Sequence, residues 1–273
     1  VRGSGKYGFF YGDKKDDDCE VLFATVQTLG KAEYLCDKCF PRDYFDYVIV
    51  DEFHHAAADT YKRIIRYFKP KFLLGLTATP DRLDDKNIYE ICDFNVVYDV
   101  RLKEAVNKGW LVPFRYYGIY DCTVNYDNIS YVHGKYDEEE LEKELMIPQR
   151  GDLVYHNYSK YNCKRALAFC STKKHAEYMA ELFQNRGVKA AAVYSGTDGE
   201  YNLDRREALE ELKDGRLQII FSVDMFNEGL DVKNIDMVLF LRPTQSPTVF
   251  LQQLGRGLRT AEGKSYLTVL DFI

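Results

Sequence analysis

The chain has 273 residues, of which 46% are apolar and 29% charged, and its net charge is −6. That size and composition, with no repeat or low-complexity tract, exclude a disordered or fibrous chain and allow one large core or two modest ones. No apolar run approaches the roughly 20 residues of a membrane-spanning helix, and the negative charge argues against a uniformly basic nucleic-acid glove while permitting a local basic groove.

The first residue is Val1, and the expectation is a natural start further upstream. "VLFATV" (21–26) and "YVIV" (47–50) read as buried strands. Tyr61, Ile64, Ile65 and Phe68 fall at i, i+3, i+4 and i+7, one face of a helix that Pro70 stops. "KFLLGLTA" (71–78) is a third strand and "LKEAVNKG" (102–109) a short helix with Gly109 at its exit. The segment from about 121 to 160 lacks regular alternation, apart from a helix at "DEEELEKELM" capped by Asp137 with Glu140 three residues on. Alternation then returns. "RALAFCS", "VKAAAVYSG", "LQIIFSV", "IDMVLFL" and "KSYLTVLDF" read as strands, with helices between most of them. One such helix has Ala176, Met179, Ala180 and Phe183 on a single face. Short apolar strands separated by helices define an α/β class with parallel sheets. Two such blocks flank the irregular middle, so two α/β domains are expected, 1–108 and 109–273.

The seven cysteines are scattered, which suits reduced thiols of a cytoplasmic protein better than a disulfide framework. "CDKC" at Cys36–Cys39 has metal-like spacing, but zinc needs two further ligands and no second pair exists, so free thiols in a turn are expected.

In parallel α/β sheets, ligands sit at the carboxyl ends of the strands. Here those ends carry "DEFH", "TATP", "NEGLD" and "QQLGRGLR". Of Asp51 and Glu52, one acid can hold Mg²⁺ through water while its neighbour orients and deprotonates an attacking water. Adjacent side chains on a strand point to opposite sides, so the two acids can divide those roles only where the strand ends and the chain turns. Thr77 and Thr79 put two hydroxyls at the next strand end. Arg256 and Arg259 are three apart, on one face of an expected helix, and could grip a triphosphate. Each stretch alone has an ordinary alternative: a surfaced strand end, a Thr–Pro turn, a basic helix face.

Together and in this order they resemble the motifs of superfamily 2 helicases, the DEAD/DEAH-box group. "DEFH" matches the DExH box, "TATP" the third motif, "FSVDMFNEGLDV" the fifth and "QQLGRGLR" the sixth. "LFATVQTL" is similar to a nucleic-acid-contacting segment, and "AFCSTKKHAEYMAELF" to the fourth motif. In detail the chain resembles the bacterial branch grouped with restriction-enzyme helicase subunits. The resemblance implies two RecA-like domains, the first lacking its P-loop strand, and an ATP- and Mg²⁺-dependent motor. It assigns Mg²⁺ to Asp51 and the general base to Glu52. His54 would link the nucleotide site to the second domain, and Thr77 and Thr79 would couple hydrolysis to nucleic-acid binding. Gly229, Asp231, Gln252, Arg256 and Arg259 would act on the nucleotide from the second domain. Thr25, Thr172, Ser195 and Ser222 would meet the backbone of nucleic acid, DNA rather than RNA, without reading sequence. Members of that branch often carry a nuclease-like domain or subunit.

No G-x-x-x-x-G-K-[ST] stretch is present. "GSGK" at 3–6 has Tyr7 where Ser or Thr should stand and is read as a decoy. Without a P-loop strand, "KFLLGLTA" is expected to have an open apolar edge unless "YGFFY" (7–11) covers it. The expected function is therefore a helicase or translocase core, inactive as this fragment. The alternatives are a non-catalytic nucleic-acid-binding module or a motor subunit of a restriction or repair nuclease.

Overall fold

Parallel strands need apolar cover on both faces, and one half of the chain meets that need far more completely than the other. A computed structural model describes residues 5–79, 88–132, 135–196, 198–226, 234–243 and 246–273. Backbone packing divides the chain into two units, Val1–Asp99 and Val100–Ile273. This boundary falls nine residues before the one expected at 108/109. The reason is local: Leu102, Leu111 and Val112 pack into the core of the second unit.

The first unit contains β1 (Tyr7–Tyr11), β2 (Lys14–Lys15), β3 (Val21–Ala24), α1 (Val26–Leu29), β4 (Tyr47–Val50), α2 (Asp59–Tyr67) and β5 (Phe72–Gly75). β1 pairs antiparallel with β2 and parallel with β3, while β4 and β5 form a separate parallel pair. "YGFFY" is therefore paired within its own sheet and does not cover β5, whose second edge has no strand among the described residues. The stripe on α2 serves two small cores. Ile64 and Phe68 join Phe10 and Phe40, whereas Ile65 packs beside Phe53, Ala56 and Ala57. One face of the β4–β5 pair is open, with Tyr47 70% and Ile49 64% exposed.

The second unit contains α3 (Leu102–Asn107), β6 (Phe114–Ile119), β7 (Tyr131–Val132), β8 (Lys135–Tyr136), α4 (Glu138–Leu145), α5 (Pro148–Ser159), β9 (Ala166–Phe169), α6 (Lys173–Gln184), β10 (Ala190–Val193), α7 (Arg205–Asp214), β11 (Ile219–Ser222), β12 (Met237–Phe240), α8 (Pro247–Gly257) and β13 (Leu267–Phe272). Six strands form one parallel sheet in the order β10-β11-β9-β12-β13-β6. Two apolar layers cover it. Leu167, Ile220, Val238 and Val269 lie in one; Ala168, Phe221, Leu239 and Leu270 lie in the other. Ala176, Met179, Ala180 and Phe183 of α6 are all fully buried, as their spacing predicts. This six-stranded parallel sheet with helices is the α/β class expected from the alternating strands.

The middle is more regular than expected, because α4 and α5 span most of 138–159. Asp137 caps α4 by accepting the N–H groups of Glu139 and Glu140, at 3.1 and 3.0 Å. Glu140 does not close the box expected from its spacing. Its carboxylate accepts the N–H and O–H of Ser130, because the Asp137 N–H already donates to the Ser130 carbonyl. No helix among the described residues is long and apolar enough to cross a membrane.

Candidate functional site

The two acids stand at the end of β4, and the chain turns there as the strand geometry requires. Glu52 adopts left-handed backbone angles, φ 49° and ψ 48°. For a non-glycine residue this conformation costs on the order of 1–3 kcal/mol and persists only where neighbours enforce it. Three hydrogen bonds do so. The Glu52 N–H donates to Asp51 Oδ1 at 2.9 Å, the His55 N–H donates to the Glu52 carbonyl at 2.9 Å, and the Phe53 N–H donates to the Leu76 carbonyl at 2.8 Å. The Phe53 ring also lies directly over Gly75. A Cβ added to Gly75 would sit 2.4 Å from that ring, so β5 must carry glycine where the acid turn folds back on it.

The turn sends the two carboxylates to different surroundings. Asp51 is exposed. The Glu52 side chain is about one-third exposed, and its Oε2 lies 3.3 Å from His54 Nδ1. His54 is buried, and the same Nδ1 lies 3.2 Å from Thr77 Oγ1. A carboxylate can only accept, so the proton belongs on Nδ1, shared between Glu52 and Thr77. Thr77 Oγ1 also accepts the Thr79 N–H at 3.1 Å. The structure thus gathers Glu52, His54, Thr77 and Thr79 at the ends of two adjacent parallel strands. Thr79 Oγ1 is buried with no hydrogen-bond partner among the described residues.

This set fits magnesium and a nucleotide. Magnesium takes one or two carboxylates and completes its shell with water and phosphate oxygens, so exposed Asp51 suffices as the protein ligand. The Thr79 hydroxyl is a buried polar group still lacking a partner. Of "GSGK", Gly3 and Ser4 lie outside the described residues; Lys6 pairs with Asp18 and leads into β1 rather than a helix.

In the second unit, Gln252 is buried on α8. Arg256 and Arg259 do not share a helix face. α8 ends at Gly257, and Arg259 lies beyond it, bridged antiparallel to Leu111. The helix stops because its last carbonyls find partners outside it. The Val112 N–H donates to the Leu258 carbonyl at 2.8 Å, and Lys264 Nζ donates to the carbonyls of Gly257 and Arg259 at 2.5 and 3.0 Å. Burial pushes the Lys264 ammonium down to about 8, opposed by the charge of Asp236. Gly257 is required here too, since a Cβ would meet Leu267 at 2.5 Å. Gly229 and Asp231 lie outside the described residues.

The four candidate backbone contacts differ in availability. Thr25 is exposed, and its hydroxyl donates to Thr28 Oγ1 at 3.0 Å. Ser195 is exposed in the loop after β10. Ser222 is fully buried at the end of β11, its hydroxyl without a hydrogen-bond partner among the described residues. Thr172 caps α6, accepting the His175 N–H at 3.1 Å and donating to Glu142 Oε2 at 2.6 Å. Its neighbour Ser171 packs against a buried polar cluster. Arg150 is fully buried and binds Asp121 Oδ2 through Nε at 2.8 Å and the Leu241 carbonyl through Nη2 at 2.9 Å. Its Nη1 lies 3.4 Å from His175 Nε2, and the Ser171 N–H donates to His175 Nδ1 at 3.4 Å. Burial and then the charge of Arg150 push His175 well below its usual range and keep it neutral. Ser171 Oγ lies 3.1 Å from the same Nδ1. Arg150 on α5 and His175 on α6 look like surface residues in sequence, so only the structure reveals this buried cluster.

Comparisons with known proteins agree with this arrangement. Residues 2–82 match the family described as type III restriction enzyme, res subunit, and residues 149–261 match the helicase conserved C-terminal domain. The chain is 25% identical, over 98% of its length, to the Saccharomyces cerevisiae protein named as the ATP-dependent helicase IRC3, of which it spans 38%. It is 26% identical, over 84% of its length, to the Escherichia coli type I restriction enzyme EcoAI endonuclease subunit, of which it spans 32%. A solved fragment from Vibrio vulnificus, described as an HsdR subunit of a type I restriction enzyme, superimposes with a TM-score of 0.74 at 24% identity. That match covers 97% of this chain and 50% of the other. The two matched domains and these relatives support a superfamily 2 helicase core with restriction-enzyme-like relatives. It spans about a third of the length of the curated relatives named above.

Proposed function

We propose that this chain is the motor core of an ATP-dependent helicase or translocase that moves on DNA. The observation that carries the reading is the Glu52–His54–Thr77 cluster at the ends of β4 and β5. A half-buried carboxylate held by a buried histidine is suited to orient water and take its proton. Asp51 would hold magnesium, which supplies charge neutralisation on the phosphates when bound. Thr77, hydrogen-bonded to His54, would link the state of this cluster to β5. Arg256 and Arg259 are the candidates to stabilise charge on the transferred phosphoryl group, with Gln252, Gly229 and Asp231 as further nucleotide contacts. Ser171, Thr172, Thr25 and Ser195 would meet phosphates without reading bases. Ser222 would do so only if its strand end opened. The restriction-enzyme relatives favour DNA over RNA and a nuclease domain or subunit as partner.

The 273 residues contain no G-x-x-x-x-G-K-[ST] stretch, so the chain by itself is expected to hydrolyse ATP negligibly. Joined to a segment carrying such a loop, it should show DNA-stimulated hydrolysis. In that longer protein Arg259→Ala should lower turnover at least about a hundredfold, since an arginine finger is worth about 10³–10⁵, with a far smaller effect on nucleotide affinity. Arg259→Lys should restore little, because a point charge cannot copy the planar fork. Turnover near wild type in Arg259→Ala, with loss in Arg256→Ala, would move the finger to Arg256. Turnover insensitive to both would defeat the motor reading.

A further inference from the structure

The helicase motifs leave one chemically loaded element unused: the Cys36–Asp37–Lys38–Cys39 turn of the first unit. We propose that Cys36 and Cys39 form a thiol–disulfide exchange site that reacts with low-molecular-weight disulfides of the glutathione type and closes to an intramolecular disulfide.

The geometry is that of a dithiol. The N–H groups of Cys39 and Phe40 both donate to the Cys36 carbonyl, at 3.1 and 2.9 Å, which winds the four residues into one helical turn. Positions three apart on such a turn lie about 5–6 Å apart at Cβ, and modest closing of the turn brings them to the 3.5–4.5 Å a disulfide needs. The side chains already converge. Cys36 Sγ lies 3.3 Å and Cys39 Sγ 3.5 Å from the same Glu33 carbonyl oxygen. The turn is anchored behind by Phe40, which is buried and whose carbonyl accepts the Tyr67 hydroxyl at 3.0 Å. In front it is open: Cys39 is exposed and Cys36 half-buried.

The two sulfurs are also unequal. Backbone N–H donation from Cys39, then the Cys39 thiol, pulls Cys36 below the usual thiol range, while the hydrogen bond with Cys36 pushes Cys39 up. Burial pushes Cys19, Cys92, Cys163 and Cys170 upward instead. Cys36 is therefore the natural attacking thiolate and Cys39 the resolving thiol. Among the described residues no group of three or more His, Cys, Asp or Glu side chains converges, so the pair lacks the four ligands of a structural zinc site.

The exchange balances in two steps. The Cys36 thiolate attacks one sulfur of RSSR, forming Cys36–S–SR and releasing RS⁻. The Cys39 thiolate then attacks Cys36 Sγ, forming the Cys36–Cys39 bond and expelling the second RS⁻. Two protein thiols are oxidised, one small disulfide is reduced to two thiols, and the two protein protons pass to the departing thiolates.

The test is peptide mapping by mass spectrometry after the 273-residue chain is incubated with glutathione disulfide and its remaining thiols are alkylated. Cys122, exposed and in the second unit, is the internal comparison. The expected result is a Cys36–Cys39 disulfide in wild type beside a glutathione adduct on Cys122. Cys39→Ser should trap the adduct on Cys36, and Cys36→Ser should leave Cys39 slower to react than Cys122. Phenylarsine oxide, which needs two adjacent thiols, should bind wild type at least about tenfold more tightly than Cys39→Ser. A stable glutathione adduct on Cys36 or Cys39 in wild type, an unreacted pair beside a modified Cys122, or equal arsenical affinity in the variant would each overturn the proposal. None of these readouts requires nucleotide or DNA.

Discussion

β5 and β11 are both four-residue apolar strands ending beside candidate functional residues, yet they live in different worlds. Every residue of Ile219–Ser222 is fully buried, flanked by β10 and β9. Among the described residues Phe72–Gly75 has one neighbour, β4, and Phe72 is 46% exposed. The difference does not come from hydrophobicity, because "FLLG" and "IIFS" are comparable. It comes from what surrounds each strand. A parallel strand gains its full burial only with a partner on each edge and cover on each face. The acid turn is thus carried by the less supported unit, and its order rests on local devices: the hydrogen bonds around Glu52 and the Phe53 ring on Gly75.

Ion-pair deletions should widen this contrast most. Arg150 and Asp121 are both fully buried, so Arg150→Ala strands a carboxylate and should destabilise the second unit by about 3–5 kcal/mol. Lys71→Ala in the first unit removes a pair with Asp46 that is largely exposed, and should cost far less. Denaturant titration of both variants checks the pair, and equal losses would break the comparison. Hydrogen exchange comes next. Amides of 72–75 should exchange at least about tenfold faster than those of 219–222, because local opening is easiest where strands lack neighbours. Equal protection in a monomer would contradict it.

The smallest effect is a pH slope. The folded-state value of Lys264, about 8, lies below its ordinary 10.5. Between those values the unfolded chain holds the proton more tightly, so this group makes stability rise with pH. Its contribution is complete above about 10.5 and lost as pH falls through about 8. The melting temperature of wild type should therefore gain on that of Lys264→Met across this window, and parallel curves would show that the lysine does not titrate there.

Periodicity made much of the second unit legible. The buried stripe of α6 and five of the six strands of its sheet follow from spacing alone. β6 escaped because it is an edge strand of mixed Arg and Tyr residues, exposed at Phe114, Arg115 and Tyr116. α5 escaped because its buried side includes Arg150, Gly151 and Asn157 instead of an apolar stripe. In the site, "DEFH" and "TATP" were legible as motifs. The left-handed turn at Glu52, the end of α8 before Arg259 and the buried Arg150–His175–Ser171 cluster were not, since each depends on partners distant in sequence.

The central claim is that the turn after β4 holds Glu52 as the base of a DNA-stimulated ATPase. The direct test is steady-state hydrolysis, with and without DNA, by the chain joined to a phosphate-loop segment, comparing wild type with Glu52→Gln. General-base loss is worth about 10²–10⁴ in rate. The account predicts a fall of at least about a hundredfold with nucleotide binding retained. DNA-stimulated turnover in Glu52→Gln equal to wild type would contradict it.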